Sequence, residues 1–390
     1  MRPVPITAFS LCNAMGMTTA EVAAALAAGR SGLGPCPPEI GLAGLATVGA
    51  MPGPLPPLPA RLAAYDTRLA RIVAIAVAEL ERPLARARAR WGRDRVAVLL
   101  GTSTGGIGES EQAYAHHRAH GRLPDGYSVE TSHALDASLP VVTTLTDLAG
   151  PAYVLSTACS SSAKVFAAAQ RLLHLGVCDA ALVGGVDSLC QLTIRGFAGL
   201  EVLSSAPCRP FCRDRAGINI GEGAALCLLE REGEGPARLL AVGESSDAYH
   251  MTSPHPDGLG ARLAMERALH GAGLTSGDVD HINAHGTGTR QNDSAEGAAI
   301  AGLFGPGMTV VATKGYTGHQ LGAAGATEAV FTVIAIAGGF VPASVGAAPV
   351  DPEIAVRVTT AREPMRTRAA ISNSFAFGGS NVSVLVGGPA

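Results

Sequence analysis

The chain repeats its own pattern, and that repeat limits how it can fold more than any other feature. Arg95–Gly106 reads as a strand running into a Gly/Thr loop. Val279–Gly288 reads the same way, Asp280-His281-Ile282-Asn283-Ala284-His285 entering Gly286-Thr287-Gly288. Leu155-Ser156-Thr157-Ala158-Cys159 feeds an Ala-rich helix through Leu173, and Val310–Thr313 leads past Gly318-His319 into another Ala/Gly-rich helix through Ile336. The strand Ala180–Val186 has its expected counterpart in Val382–Val386. Strands alternating with helices mark the α/β class. With 390 residues, length alone allows two to three domains. The repeat instead divides the chain into residues 1–235, carrying Cys159, and residues 236–390, carrying His285 and His319. Each half is too thin to stand alone, so the two are expected to stack, with Gly and Ala letting their helices pack closely.

Local signals fill in the elements. Ile6–Ser10 reads as a strand, and Thr18 with Glu21 forms a capping box opening a helix over Val22–Ala28 that stops at Gly29. Five prolines within Pro52–Pro59 make a surface loop. An amphipathic helix spans Arg68–Leu80, and Val96–Leu100 is a buried strand by its unbroken apolar run. Ala329–Val350 is uncharged and long enough to suggest a membrane span. Gly338-Gly339, Pro342 and Pro349 interrupt it, so a buried helix followed by a buried strand is expected.

Composition removes several function classes. Apolar residues make up 47 % and charged residues 16 %, which is too apolar for a disordered chain and too poor in charge for a coiled coil. Twenty-nine basic against 32 acidic residues leave no positive excess to hold a nucleic acid backbone. The basic run Arg82–Arg95 contains the solvated end of a helix at Ala85–Arg90. Eight cysteines include no CxxC pair, which disfavours a metal site. With no signal peptide in view, a reduced, cytoplasmic setting without membrane attachment is expected.

Cys159 is the sharpest chemical feature. It stands between the strand Tyr153–Ser156 and the helix Ser161–Leu173, where helix N–H groups favour a thiolate. A buried structural cysteine is the competing reading, and the natural one for Cys12, Cys178, Cys190 and Cys227. Two histidines, His285 and His319, follow strands in Gly-flanked loops, at the end of a parallel sheet where α/β proteins bind ligands. Lys314 precedes His319 by five residues and is placed to meet Asp293 or Glu296, or else to form a surface ion pair. His116, His117 and His120 lie on a polar, solvent-facing helix. Gly101-Thr102-Ser103-Thr104-Gly105 satisfies the G-x-S-x-G pattern of hydrolases, but Gly105-Gly106 and Gly108 delay the helix that this nucleophile turn requires. Gly184-Gly185 and Gly378-Gly379 read as close-approach turns.

Taken together, four ordered blocks resemble a known family. Thr157-Ala158-Cys159-Ser160-Ser161, Ala284–Thr289, Thr313–His319 and Ser372–Asn381 are similar to the signatures of β-ketoacyl-[acyl carrier protein] synthases, in that family's order and over nearly the whole chain. Arg209-Pro210-Phe211 and Gly221-Glu222-Gly223 fit its middle region. Cys212, Ala376 and Arg290 depart from residues common in the family, where Asp, Gly and Pro are usual. The resemblance implies a thiolase-like fold of five layers, αβαβα, with two pseudo-symmetric halves. It also implies a Cys-His-His site in which Cys159 takes the acyl group while His285 and His319 bind the malonyl thioester oxygen. Backbone N–H groups of Cys159 and Phe377 would form the oxyanion hole, with Phe377 gating. Lys314 would pair with Glu296, with Asp293 also supporting the site. Thr287 and Thr289 would contact pantetheine, and Phe211 and Phe375 the acyl chain.

No metal or redox cofactor is implied, the substrates being carried on the phosphopantetheine of acyl carrier protein. The implied assembly is a homodimer, or a heterodimer with a chain-length-factor-like subunit. Cys208–Phe211, Gly217–Glu222 and the run Tyr249–Pro256 look most like synthases of aryl-polyene clusters. Two rivals within the wider superfamily are a chain-length factor, which typically lacks the cysteine, and a biosynthetic thiolase, which uses a second, late cysteine; none follows Cys227 here.

Overall fold

A computed structural model describes residues 2–42 and 46–389. Its frame is one eleven-stranded sheet. In chain order the strands are β1 (Val4–Asn13), β2 (Val96–Gly101), β3 (Ala152–Leu155), β4 (Ala180–Asp187), β5 (Gly223–Glu230) and β6 (Ala237–Ser246). Then follow β7 (His281–Ala284), β8 (Thr309–Ala312), β9 (Arg357–Val358), β10 (Ala369–Ala376) and β11 (Ser380–Gly387). Their spatial order is β9-β8-β7-β10-β11-β6-β1-β5-β4-β2-β3. From the β1–β6 join, where Val4–Ile6 pairs with Ala237–Leu239, the first four pairings outward in either direction are antiparallel, antiparallel, parallel and parallel, and β9 adds a further parallel pairing at the β8 edge.

This order corrects one sequence expectation. The counterpart of β4 is β10, Ala369–Ala376, and the run Val382–Val386 lies in β11, the counterpart of β5. All four strands are buried along nearly their whole length, so the burial signal could not tell neighbours apart; only pairing direction does.

Side-chain alternation along the strands builds the layers. In β4, Ala181 and Val183 face one core and Ala180, Leu182 and Val186 another. The outer core of the first half takes Ile72, Val73 and Ala76 from the helix Arg68–Glu79 and Val141 and Val142 from Ser138–Thr146. The outer core of the second half takes Met265 and Ala268 from Leu259–Ala272 and Ile300 from Arg290–Phe304. Between the halves lie the Cys159 helix, Ser161–His174, and the helix Ala324–Gly338, each packed against strands of both halves. Helix, one half of the sheet, helix, the other half of the sheet, helix make the five layers, the two halves being joined only by the three-residue β1–β6 pairing.

Local chemistry explains the boundaries. Thr18 Oγ1 accepts the Glu21 N–H at 3.3 Å, Glu21 caps in return, and Gly29 closes the helix Thr19–Ala28 at φ 68°. The segment Leu321–Gly338 is apolar and long enough to cross a membrane, yet 89 % of it is buried inside the protein. The buried strand expected after it is only Phe340–Val341, paired with Glu363–Pro364, because the prolines that follow cannot continue a ladder. Gly184-Gly185 is not a turn. It lies inside β4, where a Cβ on Gly184 would sit 1.9 Å from Ala225 O on the adjacent strand. Gly378-Gly379 does turn the chain between β10 and β11, at φ 83° and 74°.

Candidate active site

Cys159, His285 and His319 all line one cleft, together with Thr287, Thr289, Phe375 and Phe377. Each is delivered from a strand end. Cys159 follows β3 through Ala158, whose φ of 51° places a non-glycine residue in the left-handed region. That strain turns the chain into the helix Ser161–His174. Ser161 Oγ bridges the turn, donating to Ala158 O at 2.6 Å and accepting the Thr157 N–H at 2.9 Å. His285 follows β7, and His319 follows β8 by way of the short helix Lys314–Thr317.

Burial pushes the Cys159 thiol up to about 11, with Lys314 and the Phe377 N–H pulling it back and Asp187 adding to the rise. Burial therefore opposes the thiolate that the helix start favours in the sequence expectation. Asp187 is itself buried, accepting from Thr102 and Thr104 hydroxyls at 2.6 and 2.8 Å and from the N–H groups of Ser103 and Thr104. Ser103 thus belongs to a loop pinned by Asp187, and the following helix begins only at Ile107.

The two imidazoles meet edge to face, with ring centroids 5.3 Å apart. Burial, then Lys314, then His319 hold His285 well below its ordinary pKa; burial and Lys314 do the same to His319. Both rings are neutral at pH 7. Lys314 Nζ lies 3.3 Å from His285 Nδ1 and also bonds His285 O. An ammonium can only donate, so Nδ1 accepts and the His285 proton sits on Nε2. His319 Nδ1 is buried and has no partner among the described residues.

Lys314 does not pair with Glu296, nor with Asp293. Its partner is Glu328, at 2.6 Å, both side chains being buried. Glu328 is the only charged residue between Lys314 and Asp351, and a lone carboxylate in an apolar helix was the sequence signal for it. Glu296 instead accepts the N–H groups of His285 and Gly286, each at 2.8 Å, and Asn373 Nδ2 at 3.2 Å. Asp293 accepts the N–H groups of Phe211 and Gly288. Both carboxylates therefore shape the His285 loop. Burial raises Glu296 and Glu328 to about 7.

Thr287 and Thr289 line the cleft with hydroxyls 2.9 Å apart. Phe377 is 37 % exposed, 5.7 Å from the Phe197 ring. Phe375 lines the cleft 5.9 Å from His285. Phe211 does not reach it: this ring is fully buried in the outer core behind Gly286, so its expected contact with an acyl chain is corrected. Among the described residues no group of three His, Cys, Asp or Glu is placed to hold a metal ion.

Residues 62–234 match the family model described as beta-ketoacyl synthase, N-terminal domain, and residues 237–348 its C-terminal domain. The chain belongs to the β-ketoacyl synthase family. The 3-oxoacyl-[acyl-carrier-protein] synthase 2 of Mycobacterium tuberculosis is 36 % identical over 322 residues, 75 % of each chain. Nodulation protein E of Rhizobium meliloti is 34 % identical over 74 % of each. Among solved structures, a chain of the complex of the ketosynthase ApeO with its chain length factor ApeC from Xenorhabdus doucetiae has a TM-score of 0.93. That chain is 37 % identical, with 99 % and 98 % of the two chains covered. The ishigamide ketosynthase/chain length factor follows at 0.92 and 27 %, with 99 % of each covered. Like its family, this β-ketoacyl synthase is a condensing enzyme of the acyltransferase type.

Proposed function

We propose that this β-ketoacyl synthase extends acyl chains on acyl carrier protein, with Cys159 as nucleophile and His285 and His319 as the pair that activates malonyl-carrier protein. Cys159 attacks the acyl thioester carbonyl; its proton passes to the departing pantetheine sulfur, leaving an acyl-cysteine. The N–H groups of Cys159 and Phe377 take the oxyanion that forms in transit. Malonyl-carrier protein then enters, its carboxylate leaves as carbon dioxide, and the bonding pair becomes an enolate. The enolate carbon attacks the acyl-cysteine, expelling the Cys159 thiolate. Neutral imidazoles donate N–H bonds to the thioester oxygen as it gains charge, and the Lys314 contact that fixes the His285 proton on Nε2 supports this role. Thr287 and Thr289 contact the pantetheine arm. The steps balance without a metal or redox cofactor.

The observation that carries this reading is the convergence of one cysteine and two neutral histidines in a single cleft. The similar structures solved with chain length factors support a heterodimer with such a subunit over a homodimer, and the chain elongation we assign is that of fatty acids or of aryl polyenes and polyketides, in the cytoplasm. The test is to incubate the protein with acyl-carrier protein, map the adduct by peptide mass spectrometry, and add malonyl-carrier protein. An adduct on Cys159 that disappears as a β-ketoacyl product forms is expected. Acylation of Ser103 or of another cysteine would sink the mechanism, and product only after adding a second subunit would identify an obligate heterodimer.

A further inference from the structure

A short extended segment, Gly217–Glu222, runs between the two histidine loops and bonds to both. Gly217 N–H donates to Gly288 O at 3.0 Å, His319 N–H donates to Asn219 O at 2.7 Å, and Gly221 N–H donates to His319 O at 2.9 Å. The same segment holds the cleft wall, Ile218 N–H donating to Val202 O at 2.8 Å. Both backbone polar groups of His319 are thus held by this one segment.

Asn219 pins it in place. The residue is fully buried. Its Oδ1 accepts the Cys208 N–H at 2.6 Å, while Nδ2 donates to Ser204 O at 2.9 Å and Ala206 O at 3.1 Å. Three bonds of the four or so an amide can make fasten the segment to the loop 204–208. That loop also reaches Lys314, Cys208 Sγ donating to Lys314 O at 3.3 Å. An apolar side chain at 219 would take away the partners of the Cys208 N–H and the Ser204 carbonyl, while Ala206 O keeps its bond from Ser204 Oγ at 2.8 Å.

The two histidines differ in how they are held. Lys314 fastens the His285 ring through Nδ1, whereas the His319 Nδ1 has no partner among the described residues. The aim of the His319 ring therefore depends on where its backbone is placed. We propose that Asn219 is a positioning residue for His319, acting through the Asn219 O···H–N His319 bond and needed for malonyl decarboxylation rather than for acylation of Cys159. Cys159 is set by the separate turn at Ala158, which shares no bond with Asn219. The inference rests on the malonyl-activating role proposed above for His319.

Asn219→Val and Asn219→Asp are compared with the wild type in two separate assays: acyl transfer from acyl-carrier protein to Cys159, read by intact-protein mass, and carbon dioxide release from malonyl-carrier protein. Asn219→Val is expected to slow carbon dioxide release by about tenfold or more while acylation stays within about threefold, since small displacements of a positioned group are costly. Asn219→Asp keeps the acceptor for Cys208 N–H and the side-chain size, so it carries the same comparison if the valine variant does not fold. Equal loss of both rates, or unchanged carbon dioxide release in a folded variant, overturns the proposal. A wild type that is acylated but never decarboxylates malonyl-carrier protein overturns the reading of the site instead.

Discussion

At the start of a helix a thiol is ordinarily made more acidic, yet burial pushes Cys159 up to about 11. Its alkylation by iodoacetamide should therefore accelerate about tenfold per pH unit from pH 7 to 10, in step with the thiolate fraction. A rate that levels off below pH 8 would show the helix start to be the stronger influence. Lys314 is the other residue whose setting matters, lying buried between His285 and Glu328. Lys314→Met should destabilise the protein by about 3–5 kcal/mol, because it leaves Glu328 buried without its cation. Denaturant midpoints measure this, and a loss below about 1 kcal/mol would mean that the pair is dispensable. The sequence marked Lys314 as a supporting residue but assigned it the wrong carboxylate. Glu296 is nearer to His285 in the chain, whereas Glu328 reaches Lys314 because the chain turns back between the short helix Lys314–Thr317 and the helix Ala324–Gly338.

Elements depend on close approaches that only particular residues allow. In the helix Ala324–Gly338, a Cβ on Gly325 would lie 2.8 Å from both Ala163 Cβ and Ser374 Oγ. Gly325→Ala should cost about 1–3 kcal/mol through overpacking between the two central helices, visible as a lowered melting temperature. An unchanged or raised value would contradict close helix packing. In β7, burial lowers His281 to about 4, and its Nε2 has no partner among the described residues. The unfolded chain takes up this proton near pH 6.5 but the folded one only near 4. The stability His281 gives above pH 6.5 is lost as pH falls, by about 3 kcal/mol at pH 4. Urea titrations at pH 7 and 4 should show His281→Leu losing that much less than the wild type; equal losses would place the acid sensitivity elsewhere.

For the whole molecule, the central layer makes the halves interdependent. The core around Phe166 and Phe331 combines strands β1, β4 and β5 of the first half with β6, β10 and β11 of the second. Neither half can bury its share of that core alone. Calorimetry should give one cooperative transition, and residues 1–235 expressed without 236–390 should show no acylation of Cys159. Two resolved transitions, or an acylated first half, would contradict the shared core.

Strand and helix positions, the repeat, and the Cys-His-His motifs were legible in the sequence because each is set by local chemistry: apolar runs, capping residues, glycine loops. Pairing direction, the exchange of β10 for β11 as counterpart to β4, the Glu328 partner and the seclusion of Phe211 were decided by tertiary structure. These depend on which surfaces face one another once the chain has folded. The repeat itself fixed that there are two halves. Stacking decided that a thiol from one and two imidazoles from the other share a desolvated cleft, and desolvation is what keeps all three uncharged at neutral pH.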